Sequence, residues 1–200
     1  TDFVAKVQTA ETTRLPGKAT LTEAVARYYF KLLAVKDEYE VARLYADGDF
    51  AKRVAAQFEG DYKLNFHLAP PLSNRPDASG QAKKSTYGPW MMTAFGVLAK
   101  MKWLRGTTLD VFGRTPERRT ERQLITDYEA LIDELLPRLA AHNHAIAVEL
   151  AAIPEHIRGY GHVKERHLKA AKAKEAELVA SFRAAAPGAA ASLAAIKVAA

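Results

Sequence analysis

Residues 87–104 constrain the fold of this chain more than any other stretch. Gly88-Pro89 opens it, and Pro89 suits the first position of a helix, where no backbone N–H is needed. Trp90, Met91, Ala94, Phe95, Val97, Leu98, Met101 and Leu104 then point in nearly every direction at 3.6 residues per turn. A helix apolar on all sides belongs inside a protein. It is too short for a membrane span, and Lys100 and Lys102 interrupt its last turns. The expectation is a mainly α fold, a helical domain around this buried central helix with Trp90 and Phe95 in the core, and a minor β component of one or two short strands.

The rest of the chain reads as elements around that helix. Residues 9–18 are polar and carry Pro16-Gly17, and 1–19 reads as a linker or arm. Thr20 and Glu23 have capping-box spacing, and Leu21, Val25, Tyr28, Leu32, Val35, Tyr39 and Ala42 follow steps of four and three, which predicts one amphipathic helix of about seven turns. Gly48 ends it, and Asp49 caps a shorter helix. Strict alternation over 62–68 predicts a strand with Lys63, Asn65 and His67 on one face; its candidate partners are Thr86-Tyr87, the segment 109–112 or a strand of a neighbouring domain. Pro70-Pro71 and the residues 73–85 read as a loop. A helix from Thr115-Pro116 carries the stripe Leu124, Tyr128, Leu131 and Leu135, and Pro137 stops it. A shorter helix spans 145–153, the glycines of 158–162 predict a sharp turn, and a last long helix runs over 162–186. The expected organisation is an arm at 1–19, a single helical domain at 20–186 and an alanine-rich tail at 187–200.

The 200 residues contain no cysteine, which removes disulfides, thiolate nucleophiles, cysteine-held zinc and iron-sulfur clusters together. A reducing, cytoplasmic location is expected, with neither signal peptide nor membrane anchor. The net charge of +6 admits an anionic partner, but the basic residues are interleaved with Glu and no nucleic-acid-binding signature is present. His142, His144, His156, His162 and His167 gather late in the chain without the i, i+4 spacing of a helical metal site. Asp47-Gly48-Asp49 inverts the Gly-Asp-Gly that holds the magnesium of thiamine diphosphate, and helix ends account for it. No phosphate-cradling glycine loop and no nucleophile elbow occur. Arg114, Arg118 and Arg122 stand one helical turn apart and, with Lys164, Lys169 and Lys172, form the candidate anion or docking surface. Tyr28, Tyr29, Tyr39, His67, Arg158, Tyr160 and His162 are the candidate interface residues. No catalytic, cofactor-binding or metal-ligating residue is identified.

Several short segments in order carry a family resemblance: 26–31 (Ala-Arg-Tyr-Tyr-Phe-Lys), 36–45 (Lys-Asp-Glu-Tyr-Glu-Val-Ala-Arg-Leu-Tyr), 58–61 (Phe-Glu-Gly-Asp), 66–71 (Phe-His-Leu-Ala-Pro-Pro), 87–90 (Tyr-Gly-Pro-Trp), 104–107 (Leu-Arg-Gly-Thr) and 157–164 (Ile-Arg-Gly-Tyr-Gly-His-Val-Lys). Over 21–182 the chain resembles the C-terminal domain of indolepyruvate ferredoxin oxidoreductase in its long single-chain form. The resemblance implies a parent enzyme of the 2-oxoacid:ferredoxin oxidoreductase family. That enzyme oxidatively decarboxylates arylpyruvates to aryl-acetyl-CoA with thiamine diphosphate, magnesium and iron-sulfur clusters, and reduces ferredoxin. It implies that the cofactors bind in other domains and that this fragment alone is inactive. The expected role is assembly with those domains in a homo-oligomer; the alternative is a basic docking module for ferredoxin or the phosphates of coenzyme A. Neither nucleic acid nor membrane is an expected partner.

Overall fold

The computed structural model describes residues 1–69, 84–159 and 161–185. Among them are eight α-helices and one small two-stranded antiparallel sheet. The expected tail at 187–200 and the loop over 73–83 lie outside the described residues. Where one domain was expected, the chain divides into two compact units, one of Thr1–Ala34 with the residues from Glu121 on, the other Val35–Thr120.

The first unit begins with α1 (Asp2–Arg14), so the stretch expected as an arm is a helix. Val7 and Glu11 stand four apart on one face and are fully buried. With a carboxylate in so short an apolar stripe, periodicity alone does not show it. Next, α2 (Thr20–Leu33) buries Leu21, Val25 and Tyr29 at successive steps of four. Its N-cap is Ala19, without a side-chain cap, so the Thr20–Glu23 box does not form. The Glu11 carboxylate takes that place, accepting from the backbone N–H of Leu21 at 2.9 Å and of Thr22 at 2.8 Å. The helix α6 (Pro116–Leu135) enters this unit at Glu121 and brings Leu124, Tyr128, Ile132 and Leu135 into its interior. Buried Asn143 closes the loop after it, accepting from Ala140 N–H and donating to the Arg138 carbonyl, both at 2.8 Å. Then follow α7 (His144–Ala151), a 3-10 turn (Ile153–His156) and α8 (Gly161–Ala184), of which Ala171 and Phe182 are buried. Val7, Val25, Ile132, Leu135, Leu150 and Phe182 share one core.

The predicted seven-turn helix is interrupted. After α2 the chain re-enters a helix at α3 (Glu38–Ala46), whose N-cap Asp37 accepts from Glu40 N–H at 2.8 Å. In this second unit come α4 (Asp49–Ala55), β1 (Phe66–Leu68), β2 (Ser85–Tyr87), α5 (Met91–Lys100) and a 3-10 turn (Met101–Leu104). Only the last three residues of the predicted strand pair, because the partner is equally short; His67 stands opposite Thr86. The core holds Ala42, Phe66, Met91 and Phe95, with the Phe95 ring stacked on Tyr45 at 4.9 Å and edge-on to Phe66 at 5.3 Å.

This corrects the reading of the central helix. The Met91 and Phe95 side of α5 is buried, but Trp90, Val97 and Trp103 are 60%, 57% and 71% exposed. Within its unit α5 packs on α3 and on Phe66 of the ribbon, which is enough for one face of a helix only.

Candidate functional site

Two residues of the candidate interface, Tyr28 and Arg158, meet in the first unit. The meeting point is the Glu155 side chain at the end of the 3-10 turn after α7. Its carboxylate accepts from the Tyr28 hydroxyl at 2.7 Å and from the Arg158 guanidinium at 3.1 Å. The Glu155 backbone carbonyl accepts from Arg158 Nε at 2.8 Å and from Lys31 Nζ at 3.0 Å, so two cationic groups converge on one oxygen atom. Lys31 also donates to the Pro154 carbonyl at 2.7 Å. A helix-end carbonyl attracts cations, and here it holds two.

The charges leave their mark on the titrating groups. Burial and then the Arg158 charge push the Lys31 ammonium below its usual value. The Tyr28 hydrogen bond, aided by the Arg158, His156 and Lys31 charges against some burial, holds Glu155 below the usual carboxylate range. Its acceptance of that bond raises the Tyr28 hydroxyl. Together with Arg27, these residues line a notch of about 460 Å³. Beyond Arg158 a second concavity of about 510 Å³ is bordered by His156, His167 and Lys174 over Ala170 and Ala171. His167 Nδ1 donates to the Arg158 carbonyl at 2.8 Å, which orients the ring. Gly159 has φ +91°, and a Cβ there would come within 2.9 Å of Val163 Cγ1. The turn is therefore built for glycine. The notch thus presents three cationic side chains, one carboxylate and one hydroxyl.

A family model described as a family of unknown function, DUF6537, matches residues 1–177. The chain belongs to this family. The match takes in the whole of the second unit and every residue of the notch. No curated protein and no solved structure matches the chain.

The other predicted residues are dispersed. Tyr29 is buried against Phe3 and Tyr128 and donates to Glu129, an arrangement that pushes its hydroxyl up to about 12. Tyr39, 2% exposed, belongs to the second unit and donates to buried Asp110 at 3.2 Å. Both tyrosines are core residues, because their stripe turns inward and the helix that would have joined them breaks. His67 sits on the exposed strand face with Thr86 Oγ1 3.0 Å from its Nδ1. Tyr160 and the His162 side chain lie outside the described residues.

The basic set is divided between the two units, Arg114 and Arg118 in the second and the other four in the first. Arg114 precedes α6, so it cannot share a helical face with Arg118 and Arg122; its guanidinium donates to the Thr108 carbonyl. Arg118 lies 3.4 Å from Glu38. Arg122 and Lys169 are exposed in the first unit, where Lys164 pairs with Glu121 at 2.5 Å and Lys172 with Glu175 at 2.9 Å.

Sequence reasoning missed Arg27, Lys31 and Glu155, which are ordinary helix-surface residues until α2 meets the end of α7. It also missed an apolar cleft of about 380 Å³ in the second unit, where Met91, Phe95, Leu98 and Phe112 meet Lys36 and Glu38. Among the described residues no group of three or more His, Asp or Glu is placed to hold a metal ion, and no helix is long and apolar enough to cross a membrane.

Proposed function

We propose that this chain is a non-catalytic assembly domain of a cytoplasmic oxidoreductase resembling indolepyruvate ferredoxin oxidoreductase. In this reading thiamine diphosphate, magnesium and the iron-sulfur clusters belong to other domains of the parent, and this domain covers or joins them in a homo-oligomer. The supporting observation is the exposed apolar surface of the second unit. Trp90, Val97 and Met101 recur at helical spacing along α5 and its 3-10 extension, and Trp103, Leu109 and Val111 continue the exposure, each more than a third accessible. The spacing of 90, 97 and 101 puts three of these on one side of the helix, and apolar side chains grouped in this way mark a surface that another protein covers. Docking of ferredoxin or of coenzyme A phosphates on the basic set has less support, since Lys164 and Lys172 already pair with acids.

Deleting 21–186 from the full-length enzyme is expected to abolish assembly and arylpyruvate-dependent ferredoxin reduction together. The double variant Val97→Glu and Trp103→Glu is expected to weaken assembly while the domain stays folded, as read by sedimentation and circular dichroism. A fully active, correctly assembled truncation overturns the proposal. Intact assembly with failed ferredoxin reduction favours docking.

A further inference from the structure

The notch around Glu155 carries more positive charge than its own acid offsets. Arg27, Lys31 and Arg158 line it, and Glu155 is the one acidic residue among its lining groups. Lys31 and Arg158 donate to the same carbonyl oxygen, so their charges are held close together by geometry. The Glu155 carboxylate is already committed to Tyr28 and Arg158. Like charges confined in this way repel one another, and an anion between them relieves the repulsion.

The charge count selects the ligand. With three cations and one carboxylate on the wall, a monoanion leaves the notch positive, whereas a group carrying two negative charges balances it. Arg158 gives Nε and Nη2 to Glu155 but has further guanidinium N–H groups, and these with the point charge of Lys31 are donor types that suit phosphoryl oxygens. The adjoining concavity, with His156, His167 and Lys174 around the small residues Ala170 and Ala171, leaves room for the rest of a molecule. We infer that Arg27, Lys31 and Arg158 form a binding site for the phosphoryl group of a small phosphorylated metabolite, with Glu155 positioning Arg158 and Tyr28. The inference rests on this unit alone and does not depend on the identity of the parent enzyme.

Inorganic phosphate at about pH 8, where it is mainly the dianion, is the probe. Titration calorimetry on the full 200-residue chain at low salt is expected to show saturable one-to-one binding. Acetate, a monoanion, is expected not to displace it. Arg158→Ala and Arg27→Ala are each expected to weaken binding about tenfold or more, the effect of losing a charge-assisted hydrogen bond. Arg27 is exposed, so its removal leaves the fold intact, and circular dichroism checks this for both variants. Lys52→Ala in the second unit, which removes a cation remote in sequence and outside the notch, is expected to leave binding unchanged. Absence of saturable phosphate binding, an Arg158→Ala chain that binds as the wild type does, or an equal loss in Lys52→Ala overturns the site. Equal competition by acetate overturns the phosphoryl assignment.

Discussion

Glu11 shows how much one side chain can organise. It is fully buried, yet its two oxygens accept from Leu21 N–H, Thr22 N–H, the Thr22 hydroxyl at 2.6 Å and His144 Nε2 at 2.7 Å. Thus a carboxylate on α1 caps α2 and holds the first residue of α7. Burial works to raise its titration point, but Thr22, His144 and the two backbone donors outweigh it and hold the carboxyl below its ordinary 4.5. A depressed carboxyl stabilises the fold above its unfolded value and loses that contribution as pH falls through the folded one. Glu11→Gln keeps the shape but gives up the charge, and is expected to cost about 3 kcal/mol at neutral pH. Urea denaturation across the acid range checks both effects. Wild type should lose stability more steeply below pH 4.5 than the variant does. Parallel acid limbs would mean that another carboxyl governs acid unfolding.

Among the elements, α5 has two unlike faces. Phe95 is 6% exposed and touches the rings of Tyr45 and Phe66, whereas Trp90 is 60% exposed and meets Tyr87 edge-on. Burial of both would have made the two alanine variants equally costly. Phe95→Ala is expected to lose about 3 to 5 kcal/mol, as truncations in packed cores do. Trp90→Ala is expected to lose no more than about 1 kcal/mol. Chemical denaturation of the pair measures the difference, and equal losses would return Trp90 to the core.

At the level of the molecule, the two units have separate cores. One contains Val7, Ile132 and Leu150, the other Phe66, Met91 and Phe95. Both tryptophans, Trp90 and Trp103, belong to the second unit, so their fluorescence reports on that unit while far-ultraviolet circular dichroism reports on all helices. Ile132→Ala, a cavity in the first core, is expected to lower the dichroism midpoint more than the fluorescence midpoint. Coincident transitions in this variant would show that the units unfold as one cooperative body.

Local chemistry was readable before any tertiary contact was known. Pro116, Pro137 and Pro154 mark helix boundaries, the Leu124–Tyr128–Leu135 stripe marks the buried face of α6, and alternation around Phe66 marks β1, because these depend on neighbours within a turn or two. Mainly helical architecture with a small sheet follows from such signals. Other features required the folded chain. Whether α2 continued into α3 turned on Asp37 capping a new helix and binding Arg105 at 2.6 Å, a partner 68 residues away. The N-terminal helix is tied down by Glu11, whose donors lie on two other helices. The notch exists because α2 lies beside the turn after α7, bringing Lys31 to a carbonyl 124 residues later. Hydrophobic period encodes which face of an element is buried; which distant donor, acceptor or charge meets it is decided only when the elements pack.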